Sequence, residues 1–458
     1  MTLVMGMLGG CEKFCQQIKN RPIRRRLRTG SPEVDADIAT YRQAVTLMKG
    51  LPAGDGRKWE NQAGIHGTSA GGFNLCQHGS GGITQAHLFF PWHRAYLFYF
   101  EKICQELTGN KNFGLPYWNW NQNPGLNPAF LDQTSSLFVT RSHTTVAGNS
   151  AFSTATLDTI FADTNYFTFS SQIEGTPHNT AHGWIGGIMG GGGSAADPVF
   201  WTHHNMADYC WAKWNIDLGN DTTNDQAWAN TSWNYFVDAQ GNAATSTAGL
   251  TTLMPLLSYQ FESSAIGSAA ARDEATGEDF KKLEKRIRDG ADIKFDIKKR
   301  IPIAERTSLR VAKPLLRPTK LAAGDVALLI NSNKEQERIF ASIQFAQLPP
   351  ASDFFVRVFV NMPSADINTS TDDPHYAGSF AFFGTHIEGA HHEDHPQFLV
   401  NITDTLQKLK QRQELSDTKP VSINLVAVPM AERLEKPDAE IILEKLEIII
   451  TPVIVKAG

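Results

Sequence analysis

His178 and His182, in "EGTPHNTAHGW", stand four apart behind a proline that suits a helix start. That spacing puts two imidazoles on one helix face, where they can share a metal ion. A second stretch, "DPVFWTHHNMADYCWAKW" (Asp197 to Trp214), holds His203 and His204 side by side. Asp208 lies one turn beyond His204, well placed to orient an imidazole by a hydrogen bond. Three neutral imidazoles with no thiolate or carboxylate among them suit copper or zinc. A lone His-x3-His pair is more often two satisfied histidines, so the site needs more donors. They occur upstream: His66 in "AGIHGTS", His78 in "NLCQHGS", His87 in "TQAHLFF" and His93 in "FFPWHRAYL". Two histidine triads on separate helices would make a dinuclear site inside a helical bundle. A dinuclear copper pair can bind O2 and carry out electron chemistry that side chains cannot.

The elements that must position these residues are mostly helical as far as Trp214. "DADIATYRQAVTLMKGLP" reads as an amphipathic helix ended by Gly50 and Pro52. "PWHRAYLFYFEKICQEL" is a second, with His93, Leu97, Phe100, Glu101 and Cys104 on one face. Further helical patterns cover Pro177 to Trp184 and Pro198 to Asn215. From Ser263 to Thr307 small residues give way to dense mixed charge, which reads as a linker with room for one solvated helix. After Ser308 the period becomes two. "DVALLI", "RIFASIQFAQL", "FFVRVFVNM", "VSINLVAVPM" and "EIILEKLEIIITP" are strand-like and point to a β-sandwich. The expected fold is therefore α+β and multidomain: a mainly α-helical bundle core (1–262) holding a dinuclear copper site, a charged linker (263–307) and a β-sandwich (308–458).

Composition excludes several other classes. The chain has 458 residues, enough for two or three domains, and a net charge of −5, the wrong sign for a polyanion. "RPIRRRLRTG" is a short basic cluster at the edge of a folded region, so no nucleic-acid partner is expected. No apolar run is long enough to span a membrane. "MTLVMGMLGG" lacks the marks of an export signal, so the cytoplasm is the default expectation, with secretion if a leader was removed. Five cysteines (Cys11, Cys15, Cys76, Cys104, Cys210) are too few and scattered for a disulfide scaffold; Cys104 and Cys210 lie in helical patterns and read as buried thiols.

At this point the residues resemble a known family. "FFPWHRAYLFYFEK" resembles the first copper motif, and "HNTAH" with "DPVFWTHHNMAD" the second, of the type 3 copper proteins: tyrosinases, catechol oxidases (plant-type polyphenol oxidases) and molluscan haemocyanins. "GRKWENQAGIH" is similar to the segment leading to their first ligand, and "LSYQF" to the tyrosine motif closing the catalytic core. "FVNMPSAD", "YAGSF" and "NITDTLQKL" are similar to the plant-type C-terminal domain.

The resemblance implies two copper ions. His178, His182 and His204 would hold copper B, with His203 a supporting neighbour. His66 and His93 would be the first and third ligands of copper A. The family's usual place for the second is Thr84 here, which leaves His78 and His87 as candidates. "CQHGS" matches fungal and molluscan members, in which the cysteine forms a thioether to the ligand; that favours His78 with Cys76. His87 lies nearer the usual spacing and follows "TQA" much as in plant members. Glu174 and Asn179 match the pair that holds a basic water in members that hydroxylate monophenols. Taken alone, they are a loop carboxylate and a helix-capping residue. Gly183 leaves room over copper B, while Phe90, Trp92, Phe200 and Trp201 read as core packing.

The last block of histidines, "GTHIEGAHHEDH" (His386, His391, His392, His395), could by itself be a surface zinc or copper site. The resemblance reads it instead as part of a C-terminal lid that keeps the enzyme latent until a protease cuts the linker, with the blocking residue sought between Phe382 and His392. The implied activity is a latent tyrosinase that uses O2 to hydroxylate monophenols and oxidise o-diphenols. The alternatives are a catechol oxidase and an oxygen carrier. Phenolic substrates and O2 are the expected partners; homo-oligomerisation is left open.

Overall fold

A computed structural model describes residues 20–68, 74–78, 87–220, 222–223, 225–262, 298–310, 315–319, 329, 337–351, 353–383, 395–415, 421–430 and 439–452. Expectations on Cys11, Cys15, Thr84, 263–297, His386, His391 and His392 lie outside these residues, as does "DVALLI" apart from Leu329.

The first unit is built on helices. Helix α1 (Pro32–Gly50) has Pro32, Glu33 and Asp35 in its first turn, where a proline and negative charge suit the exposed amides. It buries Val34, Ile38, Tyr41, Val45 and Met48, a single stripe. Helix α2 (Trp59–His66) is short, and α3 (Phe89–Thr108) ends where Gly109 takes φ 72°. Helices α4 (Thr154–Phe161) and α5 (Tyr166–Ile173) lead into a wide π turn, Glu174–His178, and then α6 (Asn179–Ile185). The expected helix from Pro177 is thus real, but its start is widened. Proline has no N–H to give to the preceding turn, and the hydrogen bond that closes it runs from the Asn179 amide to the Glu174 carbonyl. Helix α7 (Pro198–Ala212) is capped by the Asp197 carboxylate, which accepts from Val199 N–H at 2.8 Å. It too runs on into a π turn, Lys213–Asp217.

Two short strands tie the ends of this unit together. Strand β1 (Ile23–Arg24) pairs in parallel with β4 (Gln260–Phe261); β2 (Ser232–Val237) and β3 (Ala243–Thr247) form a hairpin. The "RPIRRRLRTG" cluster is not a surface feature. Arg24 is fully buried, paired with Glu101 (2.8 Å) and Asp208 (2.9 Å), with its guanidinium 3.4 Å from the centre of the Tyr259 ring. Arg25 pairs with Asp37 and Arg28 with Glu262. Three of the five arginines in the run thus meet carboxylates, while Arg21 donates to the Pro255 carbonyl and Arg26 to the Gln122 side chain.

The second unit has two four-stranded antiparallel sheets, β10-β7-β12-β5 and β6-β11-β8-β9. Their strands are β5 (Lys299–Arg310), β6 (Leu315–Thr319), β7 (Glu337–Phe345), β8 (Phe354–Val360), β9 (Tyr376–Ala381), β10 (Gln397–Asn401), β11 (Val421–Pro429) and β12 (Glu440–Pro452). Alternate residues of both sheets, such as Ile339, Ala341 and Ile343 with Val356, Val358 and Val360, meet in one core. On β12 the inward parity changes from Ile441 and Leu443 to Leu446 and Ile448, across a register shift between Leu443 and Lys445. Helix α8 (Thr403–Gln411) adds Leu406 and Leu409 to that core.

Strand β5 corrects the sequence reading, because it begins at Lys299, inside the segment assigned to the linker. Among the described residues it pairs only with β12, at the end of its sheet, so its polar residues face water and meet Glu447 and Glu440 on β12. That edge position is why the strand reads as a charged run.

The units meet along the π turn and α6. A Cβ on Gly175 would lie 3.1 Å from the Phe398 ring, so a larger residue there would push that ring back by a few tenths of an ångström. Thr176 Oγ1 donates to the Ser379 carbonyl, and Asn179 Nδ2 to the Ala381 carbonyl at 2.9 Å. Among the described residues no helix is long and apolar enough to cross a membrane.

Candidate metal centre

Imidazoles from four elements converge at the centre of the first unit. His66 ends α2, His93 lies in the first turns of α3, and His178 and His182 flank the π turn–α6 junction. His203 and His204 lie on α7. All six are buried. The Nε2 atoms of His178 and His182 are 3.1 Å apart; that of His204 is 3.4 Å from the first and 3.2 Å from the second. His66, His93 and His204 form a second group whose ring nitrogens all lie within 4.8 Å of one another.

The opposite nitrogens decide what those Nε2 atoms are. Nδ1 of His66 faces the Gly192 carbonyl at 2.7 Å, that of His93 the Phe89 carbonyl at 2.8 Å, and that of His182 the Met189 carbonyl at 2.8 Å. Carbonyls only accept, so Nδ1 carries the proton and Nε2 keeps its lone pair. His178 Nδ1 donates likewise to Asn179 Oδ1 at 2.8 Å. Burial holds the imidazoles neutral: His66 is pushed down to about 3, and His93, His178, His182 and His204 well below the ordinary histidine range. Lone pairs aimed at one another in a dry site repel unless a cation lies between them. These donor sets fit metal ions, and nitrogen-only sets suit copper.

His203 differs from its neighbour. The Trp120 indole N–H can only donate, and it donates to His203 Nδ1 at 3.0 Å. The proton of His203 must then sit on Nε2, which has no lone pair to offer. Stacked on His178 with rings 5.1 Å apart, His203 is a buttress. Phe89 (4.6 Å from His178) and Phe200 (4.1 Å from His204) pack the rings in place. Phe90 stacks on Trp211, and Trp201 on Phe100, within the core.

Of the two remaining candidates, His78 joins the cluster. Its ring centre is 6.4 Å from that of His93, and its Nε2 is 3.3 Å from Cys76 Sγ, which is itself 3.5 Å from His93 Nε2. His78 Nδ1 meets Glu174 Oε1 at 2.8 Å. Burial pushes His78 down, but the Cys76 sulfur and the Glu174 carboxylate outweigh it and hold His78 well above the ordinary range. His87 is buried elsewhere, its ring against Phe167 at 5.6 Å; like His78, it lies outside both ring-nitrogen groups.

Two family models match the chain: the common central domain of tyrosinase over residues 56–142 and 127–217, and the chloroplastic polyphenol oxidase C-terminal domain over 329–436. Residues 56–217 thus form a tyrosinase central domain. Such domains belong to the type 3 copper proteins, and the two nitrogen sets fit a metal site. Aureusidin synthase of Antirrhinum majus is 32% identical over 235 residues, covering 39% of this chain and 41% of its own. The chain spans about half the length of the curated relatives it matches. A structure of latent apple tyrosinase shares the fold, with a TM-score of 0.62 and 21% identity over 94% of this chain and 97% of that one. A functional unit of octopus haemocyanin shares it as well, with a TM-score of 0.57 and 18% identity over 94% and 100%.

One expectation fails. Asp208 orients no imidazole: its oxygens take Arg94, Arg24 Nη1 and the Tyr259 hydroxyl. One turn along α7 from His204 it faces the buried arginines, and two cations draw a carboxylate more strongly than a neutral ring does. His395 is exposed and pairs with Glu444 at 2.7 Å. Trp120, Gly192 and Met189 escaped the sequence reading, because a backbone carbonyl or a distant indole leaves no local pattern.

Proposed function

We propose that this protein is a latent polyphenol oxidase, with His66, His78 and His93 holding copper A and His178, His182 and His204 holding copper B. The observation that carries this reading is Phe383, from the C-terminal unit, seated among the imidazoles. Its ring centre is 3.9 Å from that of His182, 5.7 Å from His178, 5.9 Å from His78 and 6.0 Å from His66. It lies at the near end of the segment, Phe382 to His392, where a blocking residue was sought. A flat aromatic ring fits that place, which makes it the place for a phenol once Phe383 leaves.

Copper bound at the two sites supplies the two-electron exchange with O2 that side chains cannot perform. The remaining work falls to the chain. Phe89, Phe200 and the buried tryptophans exclude water and fix the imidazoles. Asn179 holds the His178 proton at Nδ1, keeping the Nε2 lone pair free. The finer reading is hydroxylation of monophenols in addition to oxidation of o-diphenols. Asn179 supports it, since release of its amide from the Ala381 carbonyl would free a donor beside His178 to hold a basic water. The partners in this reading are phenols, O2 and a protease that cuts within 263–297. Several plant relatives are chloroplastic by name, so the cytoplasmic default gains no support from them.

Oxygen uptake on the copper-loaded chain, with tyramine and with a simple catechol, before and after limited proteolysis, tests this. Uptake on both substrates that rises after cleavage is expected. Asn179→Ala should then lower monophenol turnover more than catechol turnover. Uptake on catechol alone would make the enzyme a catechol oxidase, and reversible O2 binding without turnover would make it a carrier.

A further inference from the structure

Glu174 matches a residue whose expected task is to hold a water, yet its carboxylate is engaged elsewhere. Oε1 lies 2.8 Å from Nδ1 of His78, with 12% and 17% of the two side chains exposed. The π turn that opens at Glu174 presents this side chain and His178 to the same cluster.

His78 needs such a partner more than the other rings do. His66, His93, His178, His182 and His204 stand on helices or the π turn, whose backbone fixes each ring's origin. His78 stands on 74–78, which is neither helix nor strand. His66, His93 and His182 direct Nδ1 at backbone carbonyls, and His178 directs it at the side-chain amide of Asn179. Among these, His78 alone has a carboxylate, the partner that both aims an imidazole and makes its far nitrogen a stronger donor.

We propose that Glu174 is the positioning residue of the His78 ligand: the His78 Nδ1–H donates to its carboxylate, whereas His66, His93, His178 and His182 are oriented by a backbone carbonyl or a side-chain amide. This rests on the copper reading above. It departs from the water-holding role, because a carboxylate spent on His78 serves both substrates alike.

The experiment uses the full chain loaded with copper. Copper per chain, resistance of each copper to a chelator, and turnover of catechol and tyramine after linker cleavage are measured for wild type, Glu174→Ala and Glu174→Gln. Removing such a partner typically weakens metal binding by about 10–100-fold. Glu174→Ala is therefore expected to loosen one copper by that factor and leave the other at wild-type resistance. Both turnovers should fall by a common factor. Glu174→Gln keeps the shape and an acceptor oxygen but not the charge, so it should fall between; it also keeps the test open should the alanine variant not fold. Two coppers held as tightly as in wild type, with tyramine turnover alone reduced, would overturn the proposal, as would loss of both coppers together. A wild-type chain that takes up no copper would instead refute the copper reading itself.

Discussion

The ring of Phe383 lies 3.9 Å, centre to centre, from the ring of His182, with 30° between their planes. A residue of the β-sandwich thus covers a residue of the helical core's nitrogen cluster. Burying a phenylalanine side chain contributes about 1.5–3 kcal/mol, so Phe383→Ala should shift the closed state toward the open one by roughly 10- to 100-fold. Catechol oxidation by the uncut chain should rise correspondingly. An uncut F383A chain as silent as wild type, yet active after proteolysis, would move the block to another residue.

The three clustered-or-candidate histidines of uncertain role separate by copper content. His204→Ala should leave copper A and lose copper B. His87→Ala should keep both. His203→Ala should also keep both, but at a cost of about 1–3 kcal/mol for the Trp120 N–H left without its acceptor. Elemental analysis with a melting curve distinguishes the three; loss of copper from H87A would reopen the choice between His78 and His87.

Asp208 is set among Arg24, Arg94 and Tyr259, all buried. Asp208→Asn leaves the Arg24 guanidinium with Glu101 and takes from Arg94 the carboxylate it meets. Breaking a buried network in this way costs about 3–5 kcal/mol. The helical unit should melt well below wild type, with the copper absorption of the surviving folded fraction unchanged. A folded variant with altered copper absorption would give Asp208 the role in the metal site that its contacts deny.

Asp37 supplies a pH dependence. Burial raises its carboxyl to about 6, against the pull of Arg25. Below about pH 4 the group is neutral in both folded and unfolded chains. Between about 4 and 6 the unfolded chain gives up a proton that the folded chain keeps, so stability falls as pH rises, and the loss is complete above about 6. Asp37→Asn retains an oxygen for Arg25 without the charge. Its melting temperature should exceed that of wild type by about 2–4 °C at pH 7.5, with the gain disappearing near pH 4. An equal gain at both pH values would show that the charge is not the cause.

Much of this was legible in the chain, for identifiable reasons. His178 and His182 declare themselves because a helix turn converts a spacing of four into one face. Strands β7, β8, β11 and β12 do so because alternate residues of each enter the shared core, which writes an apolar period of two into the chain. Strand β5 did not, since an edge strand lined with lysine and arginine looks like a solvated segment. Nor did the fate of Arg24 or Asp208: which carboxylate meets which guanidinium across the core depends on packing between elements far apart in sequence. The choice of His78 over His87 was open for the same reason, since both precede His93 at workable spacings and only the tertiary path of 74–78 brings one of them to the cluster.

The pairing of β1 with β4 sets Ile23 opposite Gln260 and Arg24 opposite Phe261. The described part of the helical unit therefore begins and ends at one spot. A cut beyond Glu262 leaves this pairing in place. Such a unit is already almost a ring: its ends could be joined and new ones opened in a surface loop, or the whole inserted as a cassette into another protein, with no gap for the backbone to span.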